Sequence, residues 1–262
     1  MTGVQTCALP ISDQLPIASW VDDAAELRTT AGVPGGGLRA PERAQRIAVE
    51  EGFPIRFVHD GEGDTILTYV AGYEWGQQRI VTLTSQRGGP FGRRRVLVTA
   101  SPSRRGRPGG ILDWAVLGGP GRSVRVAWSR DEDPLGAILS REGTVAGPFG
   151  RRSRLGAGDA YWPFTGWIDA HGRAILVAHG PPRGGHPRYE GFELVAAIAP
   201  FDKPFGPVRR IASGAPNCAL NEGEEEELES IATSRDGRAV LLLTCADASF
   251  RPRGQYVIRY RP

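Results

Sequence analysis

The chain has 262 residues and a net charge of only +3, which is length enough for one large domain with a sizeable core or for two smaller ones. No apolar run approaches the roughly 20 residues that a membrane-crossing helix needs, and no DNA- or RNA-binding motif accompanies basic residues of which only Lys203 is a lysine, so membrane-spanning and nucleic-acid roles are set aside. Thirty-six glycines and 21 prolines lie between short apolar stretches, which favours many turns over long helices.

From the amino terminus, residues 1–12 (MTGVQTCALPIS) resemble the translation of a short-read sequencing adapter, matched residue by residue from Thr2 to Ile11. They are expected to be foreign to the protein, which leaves residues 13–262 as the native domain, truncated at its start. A signal peptide would have been lost with that start.

Helical spacing is confined to residues 22–28, and period-two alternation dominates elsewhere. Val124, Val126 and Trp128 are predicted to share one face of a half-buried strand, as are Tyr256, Ile258 and Tyr260. A tripeptide then recurs, as Pro90-Phe91-Gly92, Pro148-Phe149-Gly150 and Pro204-Phe205-Gly206, at spacings of 58 and 56 residues. Five positions after each glycine stands an apolar residue: Leu97, Leu155 and Ile211. Upstream, a glycine turn leads into an apolar run at Gly63, Gly121, Gly172 and Gly237, and the first three precede the next motif proline by 27, 27 and 32 residues. Such turns need the positive φ that glycine, and to a lesser degree aspartate, supplies, so Asp236-Gly237 reads as a hairpin turn rather than a cation-binding loop.

Repeats of this length are the mark of solenoids and propellers, in which each unit buries its faces against its neighbours. Four strands are predicted per unit, at 164–169, 174–179, 192–199 and 208–213 in the third full one. The expectation is an all-β propeller fragment with three full four-stranded blades and two partial ones. The first blade, with a tail near Leu38 and Ile47, is expected to lack its innermost strand, and the last its outermost.

This turn-and-tail pattern resembles bacterial β-propeller repeat proteins of the WD-repeat, TolB-like and sialidase-like assemblage. Ser234-Arg235-Asp236-Gly237 resembles the Ser-Pro-Asp-Gly turn of periplasmic propellers, with arginine where proline is usual. No turn carries the Asp-box order of sialidases. The resemblance implies export to the cell envelope or beyond.

In a blade, the regular turns and the Pro-Phe-Gly motifs fall on one face of the disc, while loops of varying length, at 101–110, 180–191, 213–229 and 247–253, fall on the other. Binding is expected on that variable face. Tyr161, Trp162 and Trp167 form an aromatic cluster that reads either as core or as a sugar-stacking platform. His186, Arg188 and Tyr189 lie where five extra residues enter the third unit. The run from Glu224 to Glu227 and the Asp131-Glu132-Asp133 stretch read as solvated loops, since a cation site would need rigidly neighbouring carboxylates. His59 and His179 read as packing or surface residues, and the arginine pairs after each motif as architecture. No metal-ligand spacing, cofactor fingerprint or catalytic triad is present. Cys218 and Cys245 form a disulfide or remain two buried thiols. The expected function is a non-catalytic scaffold binding a protein or glycan through the variable face, without cofactor or metal; the alternative is a sialidase-like glycoside hydrolase.

Overall fold

A computed structural model describes residues 7–8, 17–21, 26–31, 40, 42–46, 55–59, 62, 64–72, 77–86, 90–100, 110–119, 121–130, 138–144, 147–155, 164–169, 171–180, 193–213, 230–233, 238–246 and 252–260. Every regular element among them is a β-strand, including the part of the helically spaced segment that is described. The first sheet runs β1 (Cys7–Ala8), β2 (Ile17–Val21), β3 (Glu26–Ala31) and β4 (Glu42–Arg46). The second holds β5 (Arg56–His59), β6 (Thr65–Ala71), β7 (Gln78–Ser85) and β8 (Arg95–Ala100). The third holds β9 (Ile111–Gly118), β10 (Ser123–Arg130), β11 (Ile138–Thr144) and β12 (Ser153–Leu155), and the fourth β13 (Phe164–Ile168), β14 (Arg173–Gly180), β15 (Glu193–Pro200) and β16 (Arg209–Ser213). The last has three strands, β17 (Ser230–Thr233), β18 (Ala239–Ala246) and β19 (Pro252–Tyr260).

Each sheet keeps its strands in chain order, with neighbours hydrogen-bonded, so each is a meander of blade type. The four strands expected in the third full unit are those observed, with small shifts at their ends. The innermost place of the first sheet is taken by a two-residue stub, Cys7 and Ala8, opposite Ala18 and Ile17. Ladder pairing uses backbone groups that any non-proline residue carries, so the stub leaves the origin of residues 1–12 open. The other residues of that segment lie outside those described.

The recurring tripeptide has one local role in all three places. The amide of its glycine donates to a third-strand carbonyl eight residues earlier: Gly92 to Thr84 (2.7 Å), Gly150 to Glu142 (2.7 Å) and Gly206 to Ile198 (3.1 Å). Phe91 and Phe149 add isolated bridges to Ser85 and Gly143. Ten residues before the motif proline, after Ile80 and after Leu194, the third-to-fourth strand register shifts by a bulge. The motif thus turns the chain from the third strand into the fourth.

The chain divides into two compact units. In the first, Ile55, Leu67, Tyr69, Val81 and Leu83 form a core on one face of the second sheet, with Phe91 of the motif against it. In the second, the fourth sheet is covered on both faces. Ala174, Leu176 and Ala178 of β14 pack with Ala115, Leu117, Ala127, Ile138 and Leu155 of the third sheet, while Ile175 and Val177 pack with Ala239 and Leu241 of the last. Gly166 makes close packing possible, since a Cβ there would sit 2.5 Å from the Ile175 carbonyl and 3.0 Å from Leu117.

The expected alternation of buried and wet positions does not hold for the central strands. Between Val124, Val126 and Trp128, the intervening Arg125, Ala127 and Ser129 are buried too, and all seven residues of β6 are buried. Period two describes a strand with one wet face, and these central stretches have none.

The turn from β13 to β14 shows how a charge is kept inside. Gly172 adopts φ 71°. The Asp169 carboxylate accepts from the amides of His171 and Arg173 (2.9 Å each) and from the Arg173 guanidinium (2.6 Å). Burial pushes its pKa upward, but the Arg173 amide and guanidinium and the His171 amide outweigh this and hold it below the ordinary carboxylate value. A depressed folded-state pKa contributes stability above the unfolded value, near 4, that is lost as pH falls through the folded one. Asp169→Asn is therefore expected to cost about 2 kcal/mol at pH 7, and the difference from wild type in urea unfolding is expected to shrink steadily below about pH 4.

Candidate functional site

Membership of Ala115, Leu117 and Ala127 in one core cluster fixes which residues of the third sheet face the fourth. Period two then puts Asp113 on that face of β9, and Arg125 and Ser129 on that face of β10. Asp113 interrupts what would otherwise be an apolar run from Ile111 to Leu117, and it is only 5% exposed. One of its oxygens accepts from the Trp114 amide at 2.7 Å. Because β9 ends at the turn into β10, Asp113, third of its eight residues, lies toward the opposite end, from which the chain runs from Arg130 into Asp131, Glu132 and Asp133 in sequence.

Ser129 is fully buried, and its hydroxyl has no hydrogen-bond partner among the described residues. The Trp128 indole N–H beside it in sequence is likewise buried without one. Nothing in packing calls for a hydroxyl here, where alanine would do.

The entry into β9 is held from the second sheet. Gln78, 1% exposed, accepts the Ile111 amide at 2.6 Å through its side-chain oxygen, and a Cβ on Gly110 would stand 2.9 Å from that same oxygen. The start of the strand that carries Asp113 is therefore set by a buried side-chain contact.

At the motif end of the same sheet face the Arg125 guanidinium is engaged through Nη2, while its buried Nη1 has no hydrogen-bond partner among the described residues. Arg125 Nη2 lies 2.5 Å from the Phe201 carbonyl, 2.8 Å from that of Lys203 and 2.9 Å from Glu142 Oε2. Its guanidinium covers the rings of Phe205 and Phe201, with centroids at 4.7 and 5.4 Å. Burial raises the Glu142 pKa, and the Arg125 charge and hydrogen bond act against it. In the first unit Arg95 similarly lies over Phe149 and donates to the Gly147 carbonyl at 2.6 Å. These arginines are architecture.

Of the residues expected to bind, Trp167 is described. It is 5% exposed and packs with Ile175, Val177, Leu194 and Ala239, the core role named beside the stacking one. Tyr161, Trp162, His186, Arg188, Tyr189 and Cys218 lie outside the described residues, while Cys245 stands in β18 opposite Gly254. Sequence reading missed Asp113 and Ser129. The available signal was a carboxylate inside the otherwise apolar run Ile111 to Leu117, since burying a charge is costly enough to need a reason. Among the described residues no group of three or more His, Cys, Asp or Glu side chains could hold a metal ion.

No family model and no curated protein matches the chain in sequence. Solved structures do match its fold. An endo-arabinase from Bacteroides thetaiotaomicron is 11% identical, with 99% of this chain and 94% of that one covered and a TM-score of 0.50. The Aleuria aurantia lectin, solved with α-methyl-L-fucoside, is 10% identical over 93% and 72% of the two chains, with a TM-score of 0.55. A Trypanosoma rangeli sialidase is 9% identical over 92% of this chain and 42% of that one, with a TM-score of 0.51. At these identities the likeness establishes the fold, and it is that of a β-propeller. Arabinofuranosidases match as well. The expectation of a non-catalytic scaffold is thereby corrected, because glycoside hydrolases predominate among these structures.

An unpaired buried hydroxyl costs stability in the unliganded protein. Ser129→Ala is expected to leave the urea midpoint unchanged or to raise it, by up to about 1 kcal/mol in stability. A clear loss of stability would mean that the hydroxyl has a partner in the folded chain.

Proposed function

We propose that the chain is the propeller of an exported glycoside hydrolase. The observation that carries this reading is a buried carboxylate, Asp113, sharing a sheet face with the unpartnered hydroxyl of Ser129, in a fold that arabinases, arabinofuranosidases and a sialidase also adopt. Glycoside hydrolysis generally uses two carboxyl groups, one to protonate the leaving oxygen and one to act as nucleophile or to activate water. Asp113 supplies one, and Ser129 supplies a hydroxyl able to hydrogen-bond either that carboxyl or a sugar hydroxyl. The second carboxyl comes from the variable-face loops, where Asp131, Glu132 and Asp133 directly follow β10 in sequence. Within the propeller assemblage, the sialidase-like branch of the sequence resemblance fits this reading best.

The test is an assay of the protein against arabinan, xylan, aryl arabinofuranosides and a sialoside. Release of sugar from at least one is expected, and Asp113→Asn is expected to lower kcat/KM by roughly 10²–10⁴-fold while leaving Tm close to wild type. Cleavage of none of them would overturn the hydrolase reading, and a glycan bound without cleavage would point to a lectin-like role instead. Full activity in Asp113→Asn would remove Asp113 alone.

Export carries its own expectation. Cys218 and Cys245 are proposed to form a disulfide, for which their Cα atoms must lie within about 7 Å. Alkylation of unreduced protein should then modify one of the three cysteines, Cys7. Three modified thiols would count against both the bridge and the oxidising compartment.

A further inference from the structure

We propose that the outer rim of the second unit, where β12 and β16 begin, is a docking surface for an acidic polysaccharide. Arg151, Arg152 and Arg154 are exposed at the start of β12, and Lys203, Arg209 and Arg210 are exposed around the start of β16. On these segments the exposed carboxylate is Asp202, so six cations face one anion, a local charge of +5. The whole chain carries +3, and the rest of it therefore carries 3 − 5 = −2. Arginine is frequent throughout this chain, so its abundance means little; its segregation from the acidic residues is what requires a reason.

Leu155, which ends β12, belongs to the core cluster against which Val208, just before β16, packs, so the two outer strands belong to sheets packed face to face, and such sheets stand about 10 Å apart. Folding does not use these charges as it uses Arg95 and Arg125. The side chains of Arg151, Arg152 and Arg209 make no hydrogen bond, ion pair or ring contact among the described residues. Three guanidinium groups without a partner among the described residues offer forked donors that fit carboxylates two bonds at a time.

The kind of partner follows from what the rim lacks. Single-stranded nucleic acid is held by aromatic side chains that stack on bases, and a membrane surface by apolar groups that enter the lipid boundary. The exposed large hydrophobic residues among those described are Val96, Val240 and Val257, none aromatic and none on this rim. A flexible, carboxylate-bearing polymer needs neither. This surface lies on the outer strands, apart from Asp113 on a first strand, and it stands whether or not the chain hydrolyses glycosides.

The test is binding of the full chain to polygalacturonate, to neutral arabinan and to a DNA duplex, without any measure of hydrolysis. Polygalacturonate is expected to bind, and its affinity to fall about tenfold or more between low and physiological salt, as exposed charges are screened. The combined Arg151→Gln, Arg152→Gln and Arg209→Gln variant is expected to weaken binding about tenfold or more at unchanged Tm, and the three Arg→Lys changes to give an intermediate affinity because they keep charge and lose the fork. The proposal is overturned by equal binding of arabinan, by tighter binding of the duplex, or by undiminished affinity in the glutamine variant. Should that variant fold poorly, the salt dependence and polymer preference of the wild type decide the matter.

Discussion

Ala174, Leu176 and Ala178 enter one core cluster while Ile175 and Val177 enter another, so β14 from Ala174 to Ala178 is buried on both faces. A sheet in that position cannot fold alone, because both its faces require a partner of the same kind. Repetition answers that requirement, each unit covering its neighbour. Lateral pairing satisfies the backbone, which leaves side-chain size as the main variable. Small residues are accordingly frequent at the contact, and Gly166 stands where even one methyl group would meet the Ile175 carbonyl.

The same constraint makes every buried polar group informative. At the motif end, Arg125 and Asp169 are surrounded by acceptors or donors already built into the turns. Their charges hold one segment of chain against another, with Arg125 Nη1 left without a partner among the described residues. Toward the other end of the third sheet, the Ser129 hydroxyl has no such complement. A polar group that folding leaves unsatisfied is one that a bound molecule can satisfy, and in the proposed function the Ser129 hydroxyl takes that part.

Structures about a tenth identical to this chain share its fold over more than nine-tenths of its length. A blade asks only for apolar residues of suitable volume on its strands and for a few special turn residues, and many sequences meet that demand. Fold and activity are correspondingly loosely tied. The carboxylate on β9 and the segregated arginines on the outer strands are not demanded by blade packing, and it is through them that this chain differs from a bare propeller.

The sequence by itself was sufficient for the repeat, for the strand order and for the turns, because these are local. Pro-Phe-Gly performs the same turn wherever it occurs, and Gly121 and Gly172 take the positive φ that their turns require. Which strand faces are buried was not local. Alternation in β10 suggested one wet face, yet Arg125 and Ser129 are as buried as Val124 and Val126, since it is a second sheet, distant in sequence, that covers them. For the same reason Asp113 looked like one acidic residue among 29, and Arg95 and Arg125 like ordinary members of an arginine-rich composition. Only the tertiary structure separates a buried carboxylate on a sheet face shared with Ser129 from one expected in a solvated loop, or an arginine stacked on Phe205 from one exposed at the start of an outer strand, because burial and partnership depend on neighbours that lie many residues away along the chain.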